Sequence, residues 1–199
     1  YSSEQAQERI KNINKLELRQ QVAVISCLPS DEEKLKYLFP QNEDFEDANA
    51  CIISSLSNNL LKLEKLSLLS NDYSKAHVIR SFTSDELKVQ SLSLLSDDYS
   101  KASVISSFTS DELKVQSLSL LSDDYSKARV IRSIASDELK LKGLISIYLT
   151  WFEKERDKGM SKKLKILEEY QKLFQGINSL IDSFIDYIKR NQECLDEKS

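Results

Sequence analysis

SDELKVQSLSLLSDDYSKASVISSFT, residues 84–109, is followed at once by SDELKVQSLSLLSDDYSKARVIRSIA, residues 110–135. The two stretches differ at four of 26 positions, and the preceding one, NNLLKLEKLSLLSNDYSKAHVIRSFT at 58–83, carries the same pattern. A further unit opens at Ser136 with SDELKLKGLISIYL and then diverges. Self-similarity at a fixed period of this length marks stacked structural repeats and decides the fold before local propensity is weighed. Weaker echoes run upstream. AVISCLPSDEEKLK (23–36) aligns with SVISSFTSDELKVQ (103–116), and DFEDANACIISSLS (44–57) stands one unit before DYSKAHVIRSFT. The array is expected to start near residue 4.

Each unit reads as two helices. In DELKVQSLSLL, Leu87, Val89, Leu92, Leu94 and Leu95 spread over most of the helix circumference. A helix apolar on more than one side is packed from more than one side. This first helix is therefore expected to be the inner one, held between neighbouring repeats. In DYSKASVISSF, Tyr99, Ala102, Ile105 and Phe108 recur every three residues, with Val104 and Phe108 at i, i+4. Ser100, Ser103 and Ser107 take the other side, so the second helix reads as amphipathic, with Tyr99 among its packed residues.

Capping signals agree with these limits. Thr83-Ser-Asp-Glu86, Thr109-Ser-Asp-Glu112 and Ser30-Asp-Glu-Glu33 match the capping box, while Ala135 leaves Ser136 to cap alone. Ser96-Asp97-Asp98 and Ser122-Asp123-Asp124 place a cap and acidic groups at the positive end of the second helix. Turns of roughly two to four residues force consecutive helices to lie antiparallel.

Composition points the same way. The 199 residues are 40% hydrophobic and 30% charged, with only three Gly and two Pro, too few for a turn-rich β fold. The net charge of −4 offers no field to draw in nucleic acid. Cys27, Cys51 and Cys194 are odd in number and form no CxxC pair, so they read as small buried hydrophobes or free thiols in a reducing compartment. No apolar run approaches the roughly 20 residues of a membrane span, and no signal-peptide pattern is seen. An intracellular, cytoplasmic protein is the expectation. The chain begins at Tyr1 without a Met, as expected of a piece cut from a longer protein.

One helix pair cannot bury its apolar faces alone; stacking on the next pair does so. Over roughly residues 4–150 the pattern resembles the α-solenoid class that includes HEAT, armadillo and TPR arrays. The resemblance is architectural. The 26-residue unit is shorter than theirs and lacks their signature residues, so it implies a shape and a habit of binding proteins but no functional residues. The expected fold is all-α: a right-handed α-solenoid of short antiparallel helix pairs over 1–152, a turn or break at 153–161, and a C-terminal amphipathic helix and tail at 162–199.

In that last segment Leu167, Phe174, Ile181 and Ile188 are seven apart, with Tyr170, Ile177 and Phe184 three residues after the first three. This a/d stripe fits a helix that caps the open end of the array, or one that self-associates, leaving monomer and homodimer both open. Lys and Glu flanking the stripe weigh against a membrane-surface helix.

No catalytic, cofactor or metal motif occurs. The one histidine, His77, stands where Ser103 and Arg129 stand in later units. Carboxylate pairs such as Asp97/Asp98 recur in every unit, whereas a catalytic dyad is needed once; an enzyme is not expected. The informative positions are those that vary. His77/Arg80, Ser103/Ser106 and Arg129/Arg132 occupy equivalent positions three residues apart, on one helix face. They are the candidate partner-binding residues, joined by Lys75, Lys101 and Lys127 into a mildly basic strip for an acidic protein partner; neutral drift on a solvated face would also produce them. Nucleic acid, read by helical repeats one base per unit, is disfavoured by the acidic charge. Near-identity of neighbouring units fits recent duplication, as in a fast-changing host-interaction factor.

Overall fold

The computed structural model describes residues 2–154, and their side chains through Ile147. Among the described residues every regular element is helical, as expected. The elements are α1 (Ser3–Arg9), α2 (Leu18–Ser26), α3 (Asp31–Leu35), α4 (Glu46–Ser54), α5 (Asn59–Lys65), α6 (Asp72–Arg80), α7 (Asp85–Ser91), α8 (Asp98–Ile105), α9 (Asp111–Ser117), α10 (Asp124–Arg132) and α11 (Asp137–Lys154). Single 3₁₀ turns follow α5, α7 and α9 at Leu66–Leu68, Leu92–Leu94 and Leu118–Leu120. Glu153 and Lys154 continue α11; the rest of the expected break at 153–161, and the helix at 162–199, lie outside the described residues.

The chain divides into two compact units, the first ending at Phe108 and the second starting at Thr109. In the first unit α2, α4, α6 and α8 lie side by side, each packed on the next. Helix α5 rests on α4 and α6, and α7 on α6 and α8. In the second unit α9 and α10 both pack on α11.

This reverses the expected layering. The second helix of each repeat is the inner one. Val78, Ile79, Val104 and Ile105 are all at 0% exposure. Consecutive residues on an α-helix project about 100° apart, so a Val-Ile pair reaches both flanks of its helix and meets a neighbour on each. The first helix looked apolar all round because its leucines were projected on one continuous α-helix. In fact α7 stops at Ser91, Leu92–Leu94 tighten into a 3₁₀ turn, and Leu95 is extended at φ −107, ψ 136. That change of phase turns Leu92 and Leu95 inward and leaves Leu94 45% exposed.

The caps are also shifted from expectation. Ser84, not Thr83, caps α7: its Oγ accepts from the Leu87 N–H at 3.3 Å. The Glu86 carboxylate accepts from the Ser84 hydroxyl instead of reaching back to a backbone amide. Ser110 caps α9 in the same way, accepting from Leu113 at 3.2 Å. Ser30 caps α3 (Glu33 N–H, 3.1 Å), and Ser136 caps α11 (Leu139 N–H, 3.3 Å). Before the second helices the cap is the residue after the serine: Asn71, Asp97 and Asp123 accept from Ser74, Ser100 and Ser126 at 2.7, 2.7 and 2.8 Å.

Four acidic residues that open helices each accept from the amides ahead of another helix, one repeat onward. Asp31 accepts from the Ser57 and Asn58 amides ahead of α5, at 2.9 Å each. Glu46 accepts from Ser70 and Asn71 ahead of α6, at 2.6 and 2.7 Å. Asp72 takes the Ser96 and Asp97 amides ahead of α8, and Asp111 the Ala135 and Ser136 amides ahead of α11. Burial pushes the Asp72 carboxyl up, but the bonds from Ser96 and Asp97 outweigh that and hold it at about 2. Asp31, Glu46 and Asp111 are lowered through the same balance of burial against donated hydrogen bonds. Asn59 breaks the series: where α3, α7 and α9 open on aspartate, its amide nitrogen donates to Thr83 Oγ1 at 2.8 Å.

A buried lysine ties each first helix to the end of its second. Lys34, Lys62, Lys88 and Lys114 donate to the carbonyls of Ser55, Ser81, Ser107 and Ser133 at 2.6, 3.0, 2.8 and 2.9 Å. These carbonyls lie at helix C-termini, where orphan acceptors and the negative end of the dipole both favour a cation.

Two departures from the period have local causes. From cap to cap, Ser30 to Asn58 is two residues longer than Asn58 to Ser84. The surplus falls in the loop around Pro40, which Asn49 closes by bonding the Phe39 N–H (2.9 Å) and carbonyl (3.2 Å). At the other end, α11 runs straight through where a turn would fall, because Tyr148-Leu149-Thr150 replaces Ser-Asp-Asp and no cap is offered. Gly143 lets α11 approach closely: a Cβ there would lie 3.1 Å from Ile131 Cγ1 and 3.2 Å from Leu118 Cδ1.

Candidate interaction surface

The inner helices turn one face to solvent. On α6, Tyr73, His77 and Arg80 stand at i, i+4 and i+7, a single stripe along the helix. Tyr99 and Ser103 on α8, with Ser106 at its C-cap, hold the same places, and in the second unit Tyr125, Arg129 and Arg132 hold them on α10. Tyr73, Tyr99 and Tyr125 are 67%, 51% and 74% exposed. Tyr99 is therefore not part of the packed face on which its three-residue spacing seemed to place it. Steps of three residues on a 3.6-residue helix drift by about 60° each. Three such steps put Tyr99 roughly opposite Phe108, which is 3% exposed.

Within the first unit the stripe extends to α4. Asp47, Cys51 and Ser54 lie 26 residues before Tyr73, His77 and Arg80. His77 Nε2 is 3.4 Å from Ser54 Oγ and 3.9 Å from Cys51 Sγ. Burial and the nearby Arg80 push the imidazole below its ordinary range, against an opposing pull from Asp47. Burial and Asp47 both push the Cys51 thiol up. Both directions favour the uncharged forms, a thiol beside a neutral imidazole. A small cleft between α6 and α8, lined by Tyr73, His77, Arg80, Tyr99 and Ser103, encloses about 20 Å³.

Of the candidate residues, His77, Arg80 and Arg132 are exposed, and Ser103, Ser106 and Arg129 half-buried. The lysines expected beside them are elsewhere. Lys75, Lys101 and Lys127 sit two residues after the tyrosines, about 200° round the helix. Each lies within 4.0 Å of the aspartate that opens its own helix: Asp72, Asp98 and Asp124. The tyrosines, Cys51 and Ser54 were not among the residues expected from the sequence; shifting the variable pair back by one period would have found the last two.

Among the described residues no group of three or more acidic, Cys or His side chains could hold a metal ion, and no helix is long and apolar enough to cross a membrane. Compared with known proteins, the chain matches no family model, no curated protein and no solved structure.

Proposed function

We propose that the chain is a right-handed α-solenoid serving as a non-enzymatic scaffold for a protein partner, bound along the strip on its second helices. One observation carries the reading: tyrosines stand in solvent at one register of α6, α8 and α10, while the residues beside them change from repeat to repeat. A fixed aromatic in a core is explained by packing; a fixed aromatic in water is not. Tyrosine and arginine supply a large share of the energy of protein interfaces, and solenoids bind through equivalent positions of successive repeats. The acidic chain, with its scattered cations, speaks for protein over nucleic acid.

Photocrosslinking in the native cell tests this. A benzophenone side chain at Tyr73 should capture a protein that the same group at Leu60, 68% exposed on α5, does not, and Tyr99→Ala should abolish the capture. Equal yields at the two positions would sink the proposal. The proposed solenoid is tested by small-angle scattering, which should give a radius of gyration well above the roughly 16 Å of a compact chain of this length.

A further inference from the structure

We infer that the second unit holds a pocket for a short aliphatic carboxylate, its acid group on the Lys127 ammonium and its chain on Leu118, Leu121 and Ile147. The pocket lies wholly within that unit and does not depend on the interface proposed above. It forms where the repeat pattern ends. Helix α11 runs on where α7 and α9 give way to a 3₁₀ turn, and Ser146 stands one period after Leu120. Between the turn after α9, the start of α10 and α11 lies a cavity of about 320 Å³, at the lower end of the range for small-molecule sites. Its base is apolar: Leu118, Leu121 and Ile147 are all buried. Its rim is polar: Ser119, Ser122 and Ser146 are exposed. One charged side chain joins the lining, Lys127, which is only 8% exposed.

Lys127 decides the kind of ligand. Lys88 and Lys114 give their ammonium groups to helix carbonyls at 2.8 and 2.9 Å. The Lys127 ammonium donates no hydrogen bond among the described residues. Its ion partner, Asp124 Oδ1, is 3.6 Å away, past hydrogen-bond reach. A buried cation with idle donors costs free energy until an acceptor arrives. Asp124 does not fill that need. Its counterpart Asp72 has a side chain only 14% exposed and holds the Asp97 amide, whereas the Asp124 side chain is 50% exposed. Water screens Asp124 on its open side. A carboxylate supplies the missing acceptor: it is anionic, and its two oxygens suit a donor with three hydrogens. The leucines and Ile147 then favour an aliphatic chain behind the acid group. A nucleotide would set its phosphates and ribose against those same apolar side chains, with Lys127 as the one cation among the described lining residues.

The test is isothermal titration calorimetry on the full chain with hexanoate, with hexanol and hexylammonium as controls. Hexanoate should bind saturably. Lys127→Met keeps the length of the side chain, removes its charge, and should weaken binding about tenfold. Ser146→Leu places at an exposed position the residue found one and two periods earlier, at Leu120 and Leu94, and should close the mouth with a similar loss. Lys101→Met, the same change one period earlier and in the first unit, should leave binding unaltered. Absence of hexanoate binding would overturn the inference, as would equal losses in the two lysine variants. Equal affinity for hexanol would show that the acid group contributes nothing, and tighter binding of hexylammonium would move the head group to Asp124; either result overturns it. Should Lys127→Met fail to fold, Ser146→Leu decides alone: undiminished hexanoate binding by that variant, with thermal unfolding as in the wild type, overturns the inference.

Discussion

The two halves of a repeat, residues 85–95 and 98–108 for instance, have the same length and five apolar residues each, yet only the second holds side chains at 0% exposure. Helix α8 holds Val104 and Ile105 at 0% exposure, while Leu87 and Val89 on α7 are half-buried. The difference teaches that the amount of apolar surface does not decide which helix goes inside. What decides it is whether the apolar residues stay in phase on one unbroken helix and include a branched pair that reaches both neighbours. The 3₁₀ turn takes α7 out of phase after Ser91, so its leucines cover the core from one side.

Truncation gives the largest expected effect. Ile105→Ala should cost about 3–4 kcal/mol by chemical denaturation, and Leu87→Ala only about 1 kcal/mol. Equal costs would break the inner–outer distinction. The carboxylate joints offer a smaller lever. Asp72→Asn should cost about 2 kcal/mol at neutral pH, since charge-assisted bonds to Ser96 and Asp97 are lost. The same group sets an acid limit. Its folded value of about 2 lies below the roughly 4 of an unfolded aspartate. Its contribution is therefore complete above pH 4 or so and is lost as pH falls towards 2. An acid titration of stability should be shallower for the Asp72→Asn variant than for the wild type over that interval. The smallest effect sharpens the comparison from the other side. Asn59→Asp should restore a missing joint in the outer helices and add about 1 kcal/mol, or roughly 2–4 °C in Tm. A melting point that falls would mean that the joint needs more than the carboxylate.

How much of this was legible depended on distance along the chain. The helical class and the caps at Ser30 and Ser136 follow from neighbours within about one turn, where the rules of helix geometry apply directly, and the period from comparing units 26 residues apart. The carboxylate joints were not legible. Asp72 has the look of any acidic residue at a helix start, and its donors are 24 and 25 residues away. The lysine bridges were hidden for the same reason: Lys88 and Ser107 are 19 apart. The tyrosines were within reach, because the drift of a three-residue spacing can be summed from the helix pitch alone. Cys51 and Ser54 lay in the weak upstream copy, where few identities survive to fix the register.

The carboxylate joints bear on how such a chain can lengthen. Each acceptor sits in one period and its donors in the next, so no period finishes its own helix starts. A cut made anywhere leaves a charge stranded on one side and bare amides on the other. Gain or loss of a whole period heals both at once, because the new segment brings an acceptor for the period after it and donors for the period before it. An in-frame insertion of 26 codons, the length at which 84–109 and 110–135 repeat, would thus arrive with its ends already fitted. One of almost any other length would have to evolve its fit after the fact.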